Sequence, residues 1–269
     1  MATDAGSPTT PWTTIRYRAG QRSEHADVLT TEGPVEFRIG GVPIAVLMRT
    51  PGSDEALGLG FVITEGIVIG PDEVDSIVLI EGTDHGDRYD VNLADGVVID
   101  PEQFRRNVFA SSSCGVCGKA SIDAVLVASR TPPSGPIVTP GLISSLPDRL
   151  SEAQDQFALT GSLHAAAAFS ATGELLAAAE DVGRHNAVDK VVGILASGAW
   201  PPGEIILGVS GRIGFEITQK AAVAGIPIVV GVSGASSLAA ELGETAGVTV
   251  VGFVREDGFN VYSGAERIT

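Results

Sequence analysis

The chain has 269 residues, 44% hydrophobic and 19% charged, so its bulk is globular and long enough for one large or two smaller domains. With 33 acidic against 17 basic side chains its formal charge is −16 and its pI about 4.5. That balance argues against nucleic acid as a partner, since duplex binding is driven by Lys and Arg displacing counterions, but it leaves room for a local anion site.

Met1–Thr14 has no basic start followed by an apolar run, so it reads as a flexible tail and not as a signal peptide. Residues 15–130 form an N-terminal strand-rich part. Within it, Val35–Ile39, Gly40-Gly41 and Val42–Met48 predict a hairpin with a glycine turn. Asp54 is placed to cap a helix through Ala56–Thr64 that ends near Gly66. Ile77–Ile80 is a short apolar run that predicts a buried strand, and Arg88–Leu93 alternates as a half-buried strand does. The loop between them predicts antiparallel pairing. Next come Ser111-Ser112-Ser113, the pair Cys114 and Cys117, and a helix over Lys119–Ser129.

Residues 131–269 form a C-terminal α/β part. Thr131–Pro140, with four prolines, predicts a linker or crossover, and Gly141–Phe157 a helical segment broken near Pro147. Ala165–Ser170 and Glu174–Ala179 pair around Ala171-Thr172-Gly173. A helix (Asn186–Ala196), a strand (Glu204–Val209), a helix (Gly214–Ala224), a strand (Ile226–Val232), a helix (Ser236–Glu244) and a strand (Val248–Val254) follow. The alternation implies a parallel sheet with right-handed crossovers, and Phe259–Ser263 returns antiparallel. The apolar runs are strand-length and broken by glycine, so no membrane span is expected.

Both cysteines lie in Cys114-Gly115-Val116-Cys117-Gly118. In a chain without an export signal this points to a cytoplasmic location, where Cys-x-x-Cys is more often catalytic or metal-binding than structural. A helix N-terminus and the adjacent Lys119 favour thiolate, the reactive form. Glycine flanks and the serine approach favour exposure over a buried, inert pair. The zinc alternative is a nucleotide deaminase motif, His-x-Glu followed by Pro-Cys-x-x-Cys. Here His85-Gly86-Asp87 has Asp in place of Glu, and Ser113 stands in place of Pro. A closed site would draw two more ligands from four histidines. No metal is therefore expected.

In the parallel half, loops leaving the carboxyl ends of strands gather on one edge, where ligands bind. They are Asp181–His185, Ser210–Gly214 and Ser233–Ser236. Each sets glycine with hydroxyl or basic residues before a helix N-terminus, which suits phosphate. Arg184, His185, Arg212 and Arg255 bring positive charge there. Helix caps and turns account for any one loop, but three on one edge favour an anion site. His164 is a structural histidine or a proton and ligand contact.

These segments together resemble one family, the FdhD formate dehydrogenase accessory sulfurtransferases. The resemblance rests on Arg105-Arg106-Asn107, Ser112–Ser121 around the cysteines, Thr160-Gly161, His164-Ala165-Ala166, Glu180-Asp181-Val182-Gly183-Arg184-His185-Asn186-Ala187-Val188-Asp189-Lys190, Ser210-Gly211-Arg212, Ser233-Gly234-Ala235-Ser236 and Gly252-Phe253-Val254-Arg255. It runs from about Arg38 to Tyr262, and Ser162-Leu163 departs from the family's usual glycine and β-branched residue. The resemblance implies a cytidine-deaminase-like mixed sheet with helices on both faces, beside the smaller strand-rich part, and a homodimer. It implies a cysteine desulfurase as sulfur donor, sulfur carried on Cys114 with Cys117 assisting, relaying sulfur or resolving the persulfide as a disulfide, and delivery to the bis-molybdopterin guanine dinucleotide molybdenum cofactor for formate dehydrogenase. The cofactor segment then corresponds to Phe253, Val254, Arg255, Glu256, Asp257 and Gly258, joined by Arg184, His185, Ser210, Gly211, Arg212, Ser233, Gly234 and His164. Two alternatives remain, a non-catalytic cofactor chaperone and a zinc-dependent nucleotide hydrolase.

Overall fold

The computed structural model describes residues 6–83, 86–100, 135–198 and 200–269. Strands β1 (Thr9–Arg18) and β2 (Gln21–Thr30) form a two-stranded antiparallel ribbon turned at Ala19-Gly20, both with positive φ. The tail expected over Met1–Thr14 is corrected here, because Thr9–Thr14 pair with His25–Thr30. Threonines, with Ile15 and Tyr17 alternating, suit a strand, and cross-strand pairing orders the ribbon although Trp12, Ile15 and Tyr17 stay exposed.

β3 (Gly33–Ile39) and β4 (Val42–Arg49) are the expected hairpin. Val35, Phe37 and Ile39 alternate inward and are buried. With β5 (Val74–Thr83) and β6 (Gly86–Leu93) they make a sheet of order β4-β3-β6-β5, in which β5 and β6 are antiparallel and β3 and β6 parallel. β5 is a strand but not a buried one: Val78, Leu79 and Ile80 are exposed because β5 is an edge strand. Helix α1 (Asp54–Thr64) starts one residue earlier than a cap at Asp54 requires. Ser53 is the N-cap, in left-handed conformation, and Asp54 turns its carboxylate to Arg49, at 2.8 and 3.1 Å.

In the second sheet β7 (His164–Phe169), β8 (Leu175–Asp181), β9 (Ile206–Val209), β10 (Ile228–Gly231), β11 (Thr249–Arg255) and β12 (Gly258–Ser263) lie in the order β12-β11-β10-β9-β7-β8. β9, β10 and β11 are parallel; β7 runs against β8 and β9, and β12 against β11. Helix α2 (Pro140–Glu152) covers one face through Ile143, Leu146 and Leu150, which pack with Ala165, Ala167, Phe169 and Val230. α2 continues through Pro147, and the break falls at Ala153-Gln154 before α3 (Asp155–Thr160). Three side chains buried on one stripe hold the helix where proline removes a single hydrogen bond.

The other face carries α4 (Arg184–Ala196), α5 (Phe215–Ala224) and α6 (Ser237–Ala246), so the mixed sheet has helices on both faces. One apolar core joins Val35, Phe37 and Leu57 to Val188, Leu207 and Val250, and so spans both sheets. α1 and α4 cross at glycines. A Cβ on Gly60 would lie 1.8 Å from the Asp189 carbonyl oxygen, and one on Gly193 would lie 1.9 Å from that of Ala56. Among the described residues no helix is long and apolar enough to cross a membrane.

Candidate functional site

Strand direction builds the site. β8 and β9 both oppose β7, and β9, β10 and β11 are parallel, so four strands end on one edge. β7 begins there with His164, and β12 begins there with Gly258. The three expected loops therefore share an edge with the Phe253–Gly258 segment.

The loops also touch one another. Ser210 N–H donates to the Ala165 carbonyl at 3.0 Å, and Ala165 N–H donates to Ser210 Oγ at 2.9 Å. The Ser210 hydroxyl thus fastens the loop to β7. A Cβ on Gly211 would stand 3.4 Å from His164 Nδ1 and 3.8 Å from Arg184 Cδ, ordinary contact distances that put both side chains beside the second loop. Ile213 N–H donates to the Gly234 carbonyl at 3.1 Å, and Ser236 N–H to the Ile213 carbonyl at 3.0 Å, joining the second and third loops.

Arg184 and His185 open α4 beyond an N-cap, Gly183, that has no side chain to cap with. Arg184 Nε and His185 Nε2 are buried and make no hydrogen bond among the described residues. His185 Nε2 stands 3.8 Å from Glu216 Oε2. Burial, with the Lys220 ammonium and the Arg184 guanidinium nearby, pushes His185 down to about 3, so it is neutral at physiological pH. Burial and Arg184 also lower His164, partly offset by Asp181. Lys220 lies beneath, donating at 2.9 Å to Thr64 Oγ1, Glu65 Oε1 and Asp189 Oδ2.

On the other side of the edge, Phe253 has φ +54 and is half exposed. This strained conformation lies at a bulge between Gly252 and Arg255. Its ring covers Gly234, where a Cβ would come within 2.7 Å of Cζ. Phe253 N–H donates to the Ser233 carbonyl at 3.0 Å. Val254 is a correction: its side chain is fully buried in the core beneath α2, so only its backbone faces the edge. Arg255 donates from Nη1 to the carbonyls of Val232 at 2.6 Å and Val254 at 2.7 Å, which braces the bulge. Arg212 is exposed. Glu256, Asp257 and Gly258 turn into β12 and, with Ser144, Ser145 and Asp148 of α2, line a cavity of about 480 Å³.

The structure thus brings His164, Arg184, His185, Ser210, Gly211, Arg212, Ser233, Gly234, Phe253 and Arg255 to one edge. Cys114, Cys117, Lys119 and His85 lie outside the described residues. Among the described residues no three His, Cys, Asp or Glu side chains are arranged to hold a metal. Sequence reasoning names Asp181, Asn186 and Lys190 in the motif without assigning them a role and misses Thr50; together these four hold the first loop. Asp181-Val182-Gly183 is a local turn signal. The contacts to Thr50 span 131 to 140 residues and leave no trace in local pattern.

The model of the FdhD/NarQ family matches residues 30–269. The chain is 48% identical over 265 residues to "Sulfur carrier protein FdhD" of Streptomyces avermitilis, covering 94% of this chain and 93% of that one. It is 46% identical over 258 residues to the protein so named in Mycolicibacterium paratuberculosis, covering 93% and 95%. A crystal structure from Desulfotalea psychrophila, described as a formate dehydrogenase accessory protein, superposes with a TM-score of 0.76 at 25% identity, over 97% of this chain and 99% of that one.

Proposed function

The chain belongs to the FdhD/NarQ family, and from that premise we propose that it is a sulfurtransferase serving a formate dehydrogenase client. It accepts persulfide sulfur from a cysteine desulfurase in the cytoplasm and supplies it to the bis-molybdopterin guanine dinucleotide molybdenum cofactor, its substrate, on the edge of the mixed sheet. The observation that carries this reading is the convergence of three loops and a strained, half-exposed Phe253 on one edge, with Arg184 and Arg212 there. Helix N-termini and guanidinium groups suit phosphates, and an aromatic ring beside glycine suits a base. A cytidine-deaminase-like fold of the mixed sheet and a homodimer belong to the same proposal.

The sulfur step balances without an outside oxidant. The Cys114 thiolate attacks the terminal sulfur of the donor persulfide, forming Cys114–S–SH and releasing the donor thiolate. Release of that sulfur as sulfide takes two electrons. Cys117 supplies them by attacking the inner sulfur, which leaves a Cys114–Cys117 disulfide for a cellular dithiol to reduce. Arg184 and Arg212 hold phosphate, and His185, kept neutral by burial, Lys220 and Arg184, contributes hydrogen bonding and not charge.

Intact-mass and peptide spectrometry after incubation with a cysteine desulfurase and cysteine tests the proposal. The wild type gains one sulfur on Cys114, and Cys114→Ala gains none and fails to support formate dehydrogenase. Normal support by that variant would refute the carrier role of Cys114.

A further inference from the structure

We propose that Asp181 and Lys190 are positioning residues of the ligand edge. They set where Arg184 and His185 stand while touching no ligand themselves. The proposal rests on reading that edge as a phosphate site.

A carboxylate offers about four acceptor sites, and Asp181 uses four. It is fully buried at the end of β8. Oδ1 accepts from Gly183 N–H at 2.8 Å and Asn186 Nδ2 at 2.9 Å. Oδ2 accepts from Lys190 Nζ at 2.7 Å and Thr50 N–H at 3.1 Å. The Lys190 ammonium is also fully used: besides Asp181 it donates to the carbonyls of Thr50 at 2.8 Å and Glu180 at 3.3 Å. Neither group keeps a donor or acceptor for a ligand.

Their placement gives them another role. Arg184 and His185 lie between Gly183 and Asn186, the two residues that Oδ1 grips. One carboxylate oxygen therefore pins the chain on both sides of the two ligand-facing side chains. It holds the N-cap residue by its own N–H and the third helical residue by its side-chain amide, and leaves the backbone N–H groups of the first turn uncapped by any side chain. The grip is anchored elsewhere as well: Asn186 Nδ2 donates to the Met48 carbonyl at 2.8 Å, and Val182 N–H to Thr50 Oγ1 at 3.2 Å. The end of β4 is thus the fixed point against which the edge is set. A buried ion pair is a poor source of stability by itself, since apolar residues fill such space at less cost. A fully satisfied network instead specifies one geometry.

GDP is the probe, titrated calorimetrically into wild type, Asp181→Asn, Arg184→Ala and the double variant, with folding checked by circular dichroism. Asp181→Asn presents one oxygen to four donors and should weaken GDP by about tenfold, the loss of one charge-assisted contact. The double variant should bind no more weakly than Arg184→Ala, because Asp181 acts through Arg184. Wild-type affinity in folded Asp181→Asn, or losses that multiply in the double variant, would overturn the proposal. If Asp181→Asn does not fold, Asn186→Ala takes its place in the same cycle. If wild type binds no GDP, the phosphate-edge reading fails, and positioning is read from the His185 imidazole resonances. Resonances that move in Asp181→Asn uphold it, and unchanged ones sink it.

Discussion

His185 shows how a residue type takes its role from its surroundings. In sequence it is a basic group near phosphate; in the fold it is neutral, pushed down to about 3 by burial, Lys220 and Arg184. The stability consequence has a definite sign. Between pH 6.5 and 3 the unfolded chain binds a proton at this histidine and the folded chain does not. Stability therefore rises with pH through that window and is lost as pH falls through it. One such group gives a slope of at most about 1.4 kcal/mol per pH unit. Urea unfolding from pH 7 to 4.5 should show a shallower acid loss in His185→Gln than in wild type. Parallel curves would mean the imidazole protonates in place. Arg255 is a second case. The sequence marks it as a phosphate partner, whereas in the fold its Nη1 braces two carbonyls at a bulge. Cation and strand end were legible, but one partner, the Val232 carbonyl just past β10, lies 23 residues away, where local pattern does not reach.

Between elements, the α1–α4 crossing joins the two sheets. Gly60 and Gly193 let the helices meet backbone to backbone, with carbonyl oxygens where Cβ atoms would stand. Backbone cannot move aside as a side chain tip does, so Gly193→Ala should destabilise by about 3 kcal/mol or more. Gly198→Ala, which meets its nearest neighbour at 3.5 Å, should stay within about 0.5 kcal/mol of wild type. Urea midpoints of the two variants decide it, and equal midpoints would remove the crossing as a tight contact. Strands β7 to β12 and helices α4 to α6 were legible because their periods are strong and their ends carry glycine or a cap. The ribbon and the exposure of β5 were not. Whether an apolar strand is central or at an edge depends on what pairs with it, and pairing is non-local.

For the molecule as a whole, one core reaches from Phe37 in the first sheet to Val250 in the second. Shared burial couples the sheets, so the described body should unfold in one cooperative transition. Far-ultraviolet circular dichroism should coincide with fluorescence of Trp200, which packs on that core, in a Trp12→Phe variant. Separate midpoints would mean two folding units. The alternation of strands and helices from β7 to β12, the Cys-Gly-Val-Cys-Gly string and the order of the glycine loops were settled by sequence alone, because each is local chemistry repeated along a chain. The tertiary structure alone decided that His164, Gly211 and Arg184 meet, that Val254 faces inward, and that Asp181 grips both sides of Arg184-His185 from a base at Thr50. These contacts join residues far apart in sequence. They form only when strand direction brings one edge together and burial favours polar groups, such as the Asp181 carboxylate, that find their partners.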